Sequence, residues 1–254
     1  MLPVSNIQNP INKNNCYFSD QISTMKIAVS EFTEGARDAK GLAVIIDVFR
    51  AFTVECYAID AGAVKIIATG EINEAFELKK RYRQTVLAGE RDEKKIEGFD
   101  FGNSPTEIIT ADLKGKTLIH TTTAGTNGLV HAKNAHTVLT GSFVNAAAVA
   151  KYIKNVNPDL VTLVAMGYRA KVSADEDLLC AEYLKSLITG TDTDIKTKIP
   201  QLRFTSGKRF FLNENIGHSP PTDFFLCTIT DKFNFVLKAE VRTDRNIYLE
   251  RIDV

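Results

Sequence analysis

Short apolar runs alternate with helical patterns along most of this chain. Leu42–Val48 is continuous, rich in β-branched residues, and fits a strand buried on both faces. The pattern then predicts a helix over 51–61, a strand at Val64–Thr69, and a helix at Glu71–Tyr82 with Ile72, Ala75 and Phe76 on one side. Thr85–Gly89 reads as a strand, and the segment from there to Gly102 has no period of its own. The second half repeats the rhythm. Helix Pro105–Ala111 precedes strand Thr117–Thr121 and a helix to about Lys133. Strand Thr137–Thr140 precedes a helix with Val149, Tyr152, Ile153 and Val156 on one face. Strand Leu160–Ala165 precedes a helix striped by Cys180, Leu184, Leu187 and Ile188. Strands alternating with helices of this length predict a three-layer α/β/α fold with a largely parallel or mixed sheet.

The ends are less regular. Met25–Ser30 reads as an edge strand. Beyond Gly190 the polar stretch 190–198 is expected to be a loop, and Asn234–Val241 with Ile247–Ile252 to form a C-terminal β-hairpin. No Gly/Pro/Ser-rich linker interrupts the pattern, so residues 25–254 are expected to form one domain. Residues 1–24 are rich in Asn, Gln and Ser and lack the basic and apolar regions of a secretory signal. They are expected to be a disordered extension or to precede an internal start.

Composition narrows the function. With 44% hydrophobic and 24% charged residues, the chain is of globular type. Lys+Arg and Asp+Glu both number 31, which argues against a general binder of nucleic acid or acidic membrane. No apolar run approaches the roughly 18 residues of a membrane span. Cys16, Cys56, Cys180 and Cys227 lie far apart, and His120, His131, His136 and His218 show no metal-ligand spacing. A disulfide framework is not expected, and a reducing, cytoplasmic setting is. A homo-oligomer is left open. The P-loop, the dinucleotide fingerprint, the HExxH helix and the nucleophile elbow are all missing.

In open α/β sheets ligands bind beyond the carboxyl ends of the strands. Those ends carry Asp47 with Arg50, Gly89-Glu90-Arg91, Thr121-Thr122-Thr123, Gly141-Ser142, and Gly167. Two carboxylates, two arginines and a threonine cluster suit an anionic substrate handled with a hard divalent metal. Simpler roles compete: Asp47 as a helix cap, Arg50 or Arg91 as surface charges. Ser104, Pro105 and Glu107 read as N-cap, N1 and N3 of a capped helix, whose start also offers N–H donors to an oxyanion. Thr122, Thr123, Gly125 and Thr126 fall at a strand-to-helix turn of similar potential, and Ser173 with Glu176 has capping-box spacing.

Together these segments resemble the 2-phosphosulfolactate phosphatase family. Ile46-Asp-Val-Phe-Arg-Ala51 resembles its D-V-[LF]-R-A segment, and Gly89-Glu-Arg91 with Gly98-Phe-Asp-Phe-Gly-Asn-Ser-Pro105 its G-E-R…G-F-D-x-G-N-S-P signature. Thr121–Thr126, Gly141-Ser-Phe-Val-Asn-Ala146 and Glu176-Asp-Leu-Leu-Cys-Ala181 resemble T-T-T-N-G-T, G-S-x-x-N-A and E-D-x-L-C-A. Order and spacing agree over about residues 26–190. Ala124 stands where the family usually has Asn, and the tail beyond 190 matches poorly. The resemblance implies a magnesium-dependent hydrolase that removes phosphate from 2-phospho-3-sulfolactate, a step toward coenzyme M. On this reading Asp47 and Glu90 hold Mg²⁺, while Arg50 and Arg91 neutralise the transferring group. Asn103, Ser104, Thr122, Thr123, Gly125, Thr126 and Asn145 hold the substrate's anionic groups. Asp100, Glu176 and Asp177 compete as a further ligand or as the acid for the leaving group. Action on another small phospho-acid, or non-catalytic binding of small anions, are the alternatives.

Overall fold

The computed structural model describes residues 25–244 and 246–254, so the expectation for residues 1–24 lies outside the described residues. In chain order the elements are β1 (Lys26–Glu31), α1 (Phe32–Asp38), β2 (Leu42–Ile46), α2 (Ala51–Asp60), β3 (Lys65–Ala68), α3 (Ile72–Arg81), β4 (Thr85–Arg91), β5 (Lys94–Lys95) and α4 (Pro105–Ile108). There follow β6 (Thr117–Thr121), α5 (Gly125–His131), β7 (Thr137–Gly141), α6 (Ala146–Val156), β8 (Leu160–Ala165), α7 (Asp175–Thr189), α8 (Ile195–Gln201), α9 (Pro221–Cys227), β9 (Phe235–Val241) and β10 (Ile247–Asp253).

The strands form one mixed sheet in the order β1-β8-β2-β7-β9-β10-β3-β6-β4-β5. Alternation sorts the side chains, because successive residues of a strand face opposite ways. Ile45, Ile66, Leu118, Leu237 and Leu249 share one core with α1, α2, α4 and α5. Their neighbours Val44, Ile46 and Val236 meet α6, α7 and α9 on the other side. Ile67, Ile119 and Tyr248 meet α3. The three-layer expectation is met, and the edge strand at 26–31 pairs with β8 in parallel.

The C-terminal hairpin forms as expected but lies in the middle of the sheet. β9 pairs antiparallel with β7, and β10 antiparallel with β3. It therefore joins a parallel block β1-β8-β2-β7 to a second parallel block β3-β6-β4 running the opposite way. Six strand steps separate β2 from β4. At about 20–25° of twist per step, roughly 120–150° accumulates and offsets most of the reversal. The sheet thus wraps α2, whose residues Ala51–Ile59 are all buried, and the carboxyl ends of both blocks meet near its start.

Three local expectations are corrected. Residues 195–201, which begin inside the stretch 190–198 expected to be a loop, are helical because Ile195 and Ile199, one turn apart, pack on the core beside α7. The helix after Pro105 stops at Ile108 rather than Ala111. Ser173 does not cap α7: the N-cap is Ala174, and Ser173 Oγ donates to Glu31 Oε1 instead.

Candidate active site

A cleft opens where the two blocks meet. Its walls include Asp47, Arg50, Glu90, Asn103, Thr123 and Glu176 from the candidate residues. β2 delivers Asp47, β4 Glu90, the loop before α4 Asn103, and the first turn of α7 Glu176.

Asp47 divides its two oxygens between the competing readings. Oδ1 accepts the Ala51 N–H at the start of α2 at 3.1 Å, as a cap would. Oδ2 accepts no hydrogen bond from the described residues and lies against Gly125, where a Cβ would come within 2.8 Å of it and 2.7 Å of Ala51 Cβ. Gly125 thus admits α5 to the site by lacking a side chain. Burial, then repulsion from Glu90 and Glu176, pushes the Asp47 carboxyl up to about 6, against the pull of the Ala51 N–H and Arg209.

Glu90 is a buried bracket rather than a surface ion pair. Its Oε1 accepts Thr123 N–H at 2.6 Å, and Oε2 accepts Glu93 N–H at 2.8 Å and Thr123 Oγ1 at 3.2 Å. Gly89 precedes it because a Cβ there would fall 2.1 Å from Thr121 O, at a φ of +157°. Asp177 is a second bracket. It accepts Val48 N–H and Gly167 N–H, each at 2.8 Å, tying the ends of β2 and β8 together. Burial, with Glu176 and Asp47 alongside, pushes its carboxyl well up. Glu176 has a buried Oε2 with no hydrogen-bond partner among the described residues, and burial raises its carboxyl while Arg209 and Ser206 pull it back.

Several candidates sit elsewhere. Arg91 turns away from the cleft and braces the strands, donating to Gly70 O, Thr121 Oγ1 and Glu90 O. Thr122 and Thr126 are buried and bond each other: Thr126 N–H donates to Thr122 Oγ1 at 3.1 Å and Thr122 N–H to Thr126 Oγ1 at 2.9 Å. Asn145 closes a capping box with Ser142. Ser104 caps α4 as expected, but its hydroxyl is buried and donates to Asp223 Oδ1 at 2.7 Å. Asp100 is half exposed, pairs with Lys79 and accepts Leu87 N–H. Desolvation raises its carboxyl, but these partners outweigh that and hold it below the usual carboxylate range.

The tail supplies what the sequence reading missed. Arg50 Nη1 donates to Asp223 Oδ2 at 2.7 Å and to His218 O at 2.6 Å. Arg209, from the 3₁₀ turn Ser206–Phe211, donates to Phe49 O, pairs with Glu93 at 3.1 Å and lies over Tyr168 and Phe210. Arg169, next to Tyr168 in the chain, pairs with Asp92 at 2.9 Å. Only long-range packing brings these groups to the cleft. The aromatic run around Arg209 and Phe210-Phe211 was the one signal that this tail folds onto something.

Carboxylates and arginines lining one cleft, at the strand ends of an α/β sheet, define an enzyme site for a small anion. The chain belongs to the 2-phosphosulpholactate phosphatase family of phosphoric monoester hydrolases, whose family model matches residues 28–204. It is 37% identical over 222 residues to a probable 2-phosphosulfolactate phosphatase of Caldanaerobacter subterraneus subsp. tengcongensis, covering 80% of this chain and 90% of that one. A protein of the same name from Bacillus subtilis is 32% identical over 219 residues, covering 85% and 94%. Another from Carboxydothermus hydrogenoformans is 44% identical over 165 residues, covering 65% and 68%. The family match ends before Arg209, His218 and Asp223. No helix among the described residues is long and apolar enough to cross a membrane.

Proposed function

We propose that this protein hydrolyses 2-phospho-3-sulfolactate to 3-sulfolactate and phosphate with Mg²⁺, a step of the coenzyme M type. The observation that carries the reading is the pairing of the open Asp47 Oδ2 with the unpartnered Glu176 Oε2 in one cleft that Arg50, Arg169 and Arg209 also line.

The residues fit a magnesium ion. Asp47 and Glu90 are hard oxygen donors close enough for mutual repulsion to raise Asp47. Mg²⁺ takes one or two carboxylates and keeps several waters, a demand these two donors can meet. The ion would polarise the phosphoryl oxygens and lower the pKa of the attacking water.

The chain's own groups would do the rest. Asp47 and Glu90 would hold the cation, Glu90 also fixing the Thr123 turn. Arg50 would meet the phosphoryl group through the guanidinium donors that Asp223 and His218 leave over, and Arg209 and Arg169 would receive the sulfonate and carboxylate. Glu176, whose carboxyl burial raises toward the range of a proton donor, would give a proton from Oε2 to the leaving alkoxide. Of the three acid candidates, Asp100 is outside the cleft and Asp177 has both oxygens committed to backbone amides.

The test is phosphate release from a panel of small phospho-acids with and without Mg²⁺. Mg²⁺-dependent release is expected to be fastest with 2-phospho-3-sulfolactate. Faster release from another member would reassign the substrate, and none from any would leave an anion-binding protein. Glu176→Gln is expected to slow release from 2-phospho-3-sulfolactate by about 100-fold or more, the usual worth of a general acid. On p-nitrophenyl phosphate, whose leaving group departs without a proton, the loss is expected to stay below about tenfold. Equal losses on both substrates, with weakened Mg²⁺ binding, would make Glu176 a ligand instead.

A further inference from the structure

Beneath the cleft, α2 and β6 bury an ionisable pair that the proposed chemistry does not use. His120 Nδ1 lies 3.0 Å from Glu55 Oε1, and neither side chain is exposed to solvent. The other ring nitrogen, Nε2, lies 3.3 Å from Asn103 Oδ1, and Asn103 lines the cleft. Glu55 Oε2 has no hydrogen-bond partner among the described residues, and His120 is the group that faces this carboxyl.

The proton count of the pair decides which way Asn103 points. A buried net charge is far more costly than a neutral pair. Glu55 and His120 are neutral together either as carboxylate and imidazolium or as carboxylic acid and imidazole. In the first form both ring nitrogens carry hydrogen. In the second Glu55 donates to Nδ1, and the ring hydrogen sits on Nε2. Both forms put a hydrogen on Nε2, facing Asn103. The remaining form, an ionised Glu55 with hydrogen on Nδ1 alone, leaves a net buried charge and gives Nε2 a lone pair. That lone pair would draw the Asn103 NH₂ inward and turn its carbonyl toward the substrate.

We propose that His120 is a positioning residue: its Nε2–H donates to Asn103 Oδ1 and so aims the Asn103 amide NH₂ into the cleft as a fixed donor to an anionic group of the substrate, with Glu55 holding the hydrogen on Nε2 from the other side of the ring. This rests on the reading of Asn103 as a substrate contact. A freely rotating asparagine presents a repelling carbonyl to an anion as readily as a donor. The buried pair removes that choice before the substrate arrives.

Two measurements test the proposal. In the ligand-free protein, long-range ¹H–¹⁵N correlation of the His120 ring is expected to show hydrogen on Nε2. A ring protonated on Nδ1 alone overturns the proposal without need of any variant. The second is a double-mutant cycle on kcat/KM for 2-phospho-3-sulfolactate. Glu55→Leu combined with His120→Phe replaces the pair by apolar groups, a change often close to neutral for stability. It is expected to lower kcat/KM about tenfold to 100-fold, as Asn103→Ala does, and to have no added effect once Asn103 is alanine. Additive losses would show that the pair acts elsewhere and overturn the proposal alone. Full activity in Asn103→Ala would remove the substrate contact itself, and the proposal with it.

Discussion

Asp47→Asn is expected to lower Mg²⁺-dependent phosphate release by at least about 100-fold, since even outer-shell partners of a metal site are worth 10–100-fold. The same substitution is expected to make the metal-free protein more stable. The folded-state pKa of Asp47 is raised to about 6 from 3.8, first by burial and then by its carboxylate neighbours. Between those values the folded state binds more protons than the unfolded one, so this group favours folding as pH falls. The penalty is complete above pH 6 and amounts to about 2–3 kcal/mol. It is relieved as pH falls through 6. Asparagine keeps the Oδ1 contact to Ala51 N–H and has no charge to desolvate. A rise of several degrees in Tm at pH 7.5 is therefore expected, at about 2–4 °C per kcal/mol for a domain of this size. The wild type is expected to gain Tm between pH 7.5 and 5.5, and this gain should flatten in the variant. A helix cap alone makes a different forecast, in which Asn serves as well as Asp and activity and stability both hold. Normal Mg²⁺ binding by calorimetry in Asp47→Asn would remove Asp47 from the ligand set.

Asp223→Ala is expected to be the most destabilising single change outside the hydrophobic core. Asp223 is fully buried. One oxygen accepts from Arg50, and the other from Ser104 Oγ and Thr106 N–H at 2.7 and 3.0 Å. Removing it leaves a buried guanidinium without its counter-ion and strips two further donors of their acceptor. Breaking a buried pair from one side costs about 3–5 kcal/mol. Thermal unfolding should show a Tm lower by about 6–20 °C. Activity should fall as well, because Arg50 loses the anchor that aims it. Asp223→Asn keeps an acceptor for Ser104 and should fall between wild type and alanine. A Tm within two or three degrees of wild type in Asp223→Ala, on the order of 1 kcal/mol, would mean that Arg50 finds another partner and that the tail does not hold the site.

These predictions show where local pattern stops being informative. The runs at Leu42–Val48, Thr117–Thr121 and Leu160–Ala165 specify strands because burial on both faces demands continuous apolar residues, and that demand is visible in a short window. The same holds for the stripes of α3, α6 and α7, and for Ser104-Pro105 at a helix start. Asp47, Glu90, Asn103, Thr123 and Glu176 were legible as candidates because strand ends and turns place polar groups at one rim. A window cannot show which side of the sheet a hairpin joins. β9 and β10 read as a pair, but their insertion between β7 and β3 depends on partners about 100 residues or more away in sequence.

That insertion, through accumulated twist, decides that the ends of two opposed blocks share one cleft. Arg91, Asn145, Thr122 and Thr126 carry the right chemistry in the right motifs, yet the fold uses them to satisfy buried polar groups, a demand set by neighbours that a motif does not name. Conversely Arg209, Arg169 and Asp223 have no motif at all. Arg209 and Asp223 reach the site because the tail buries its own Phe210 and Phe224 in the core, and in doing so it brings a counter-ion to Arg50, while Arg169 arrives on the loop after β8. The sequence by itself determined the layers and most of the polar groups offered to the rim. The tertiary structure alone decided which of them face the cleft, because hydrogen-bond and charge satisfaction in a buried site is settled among residues far apart in the chain.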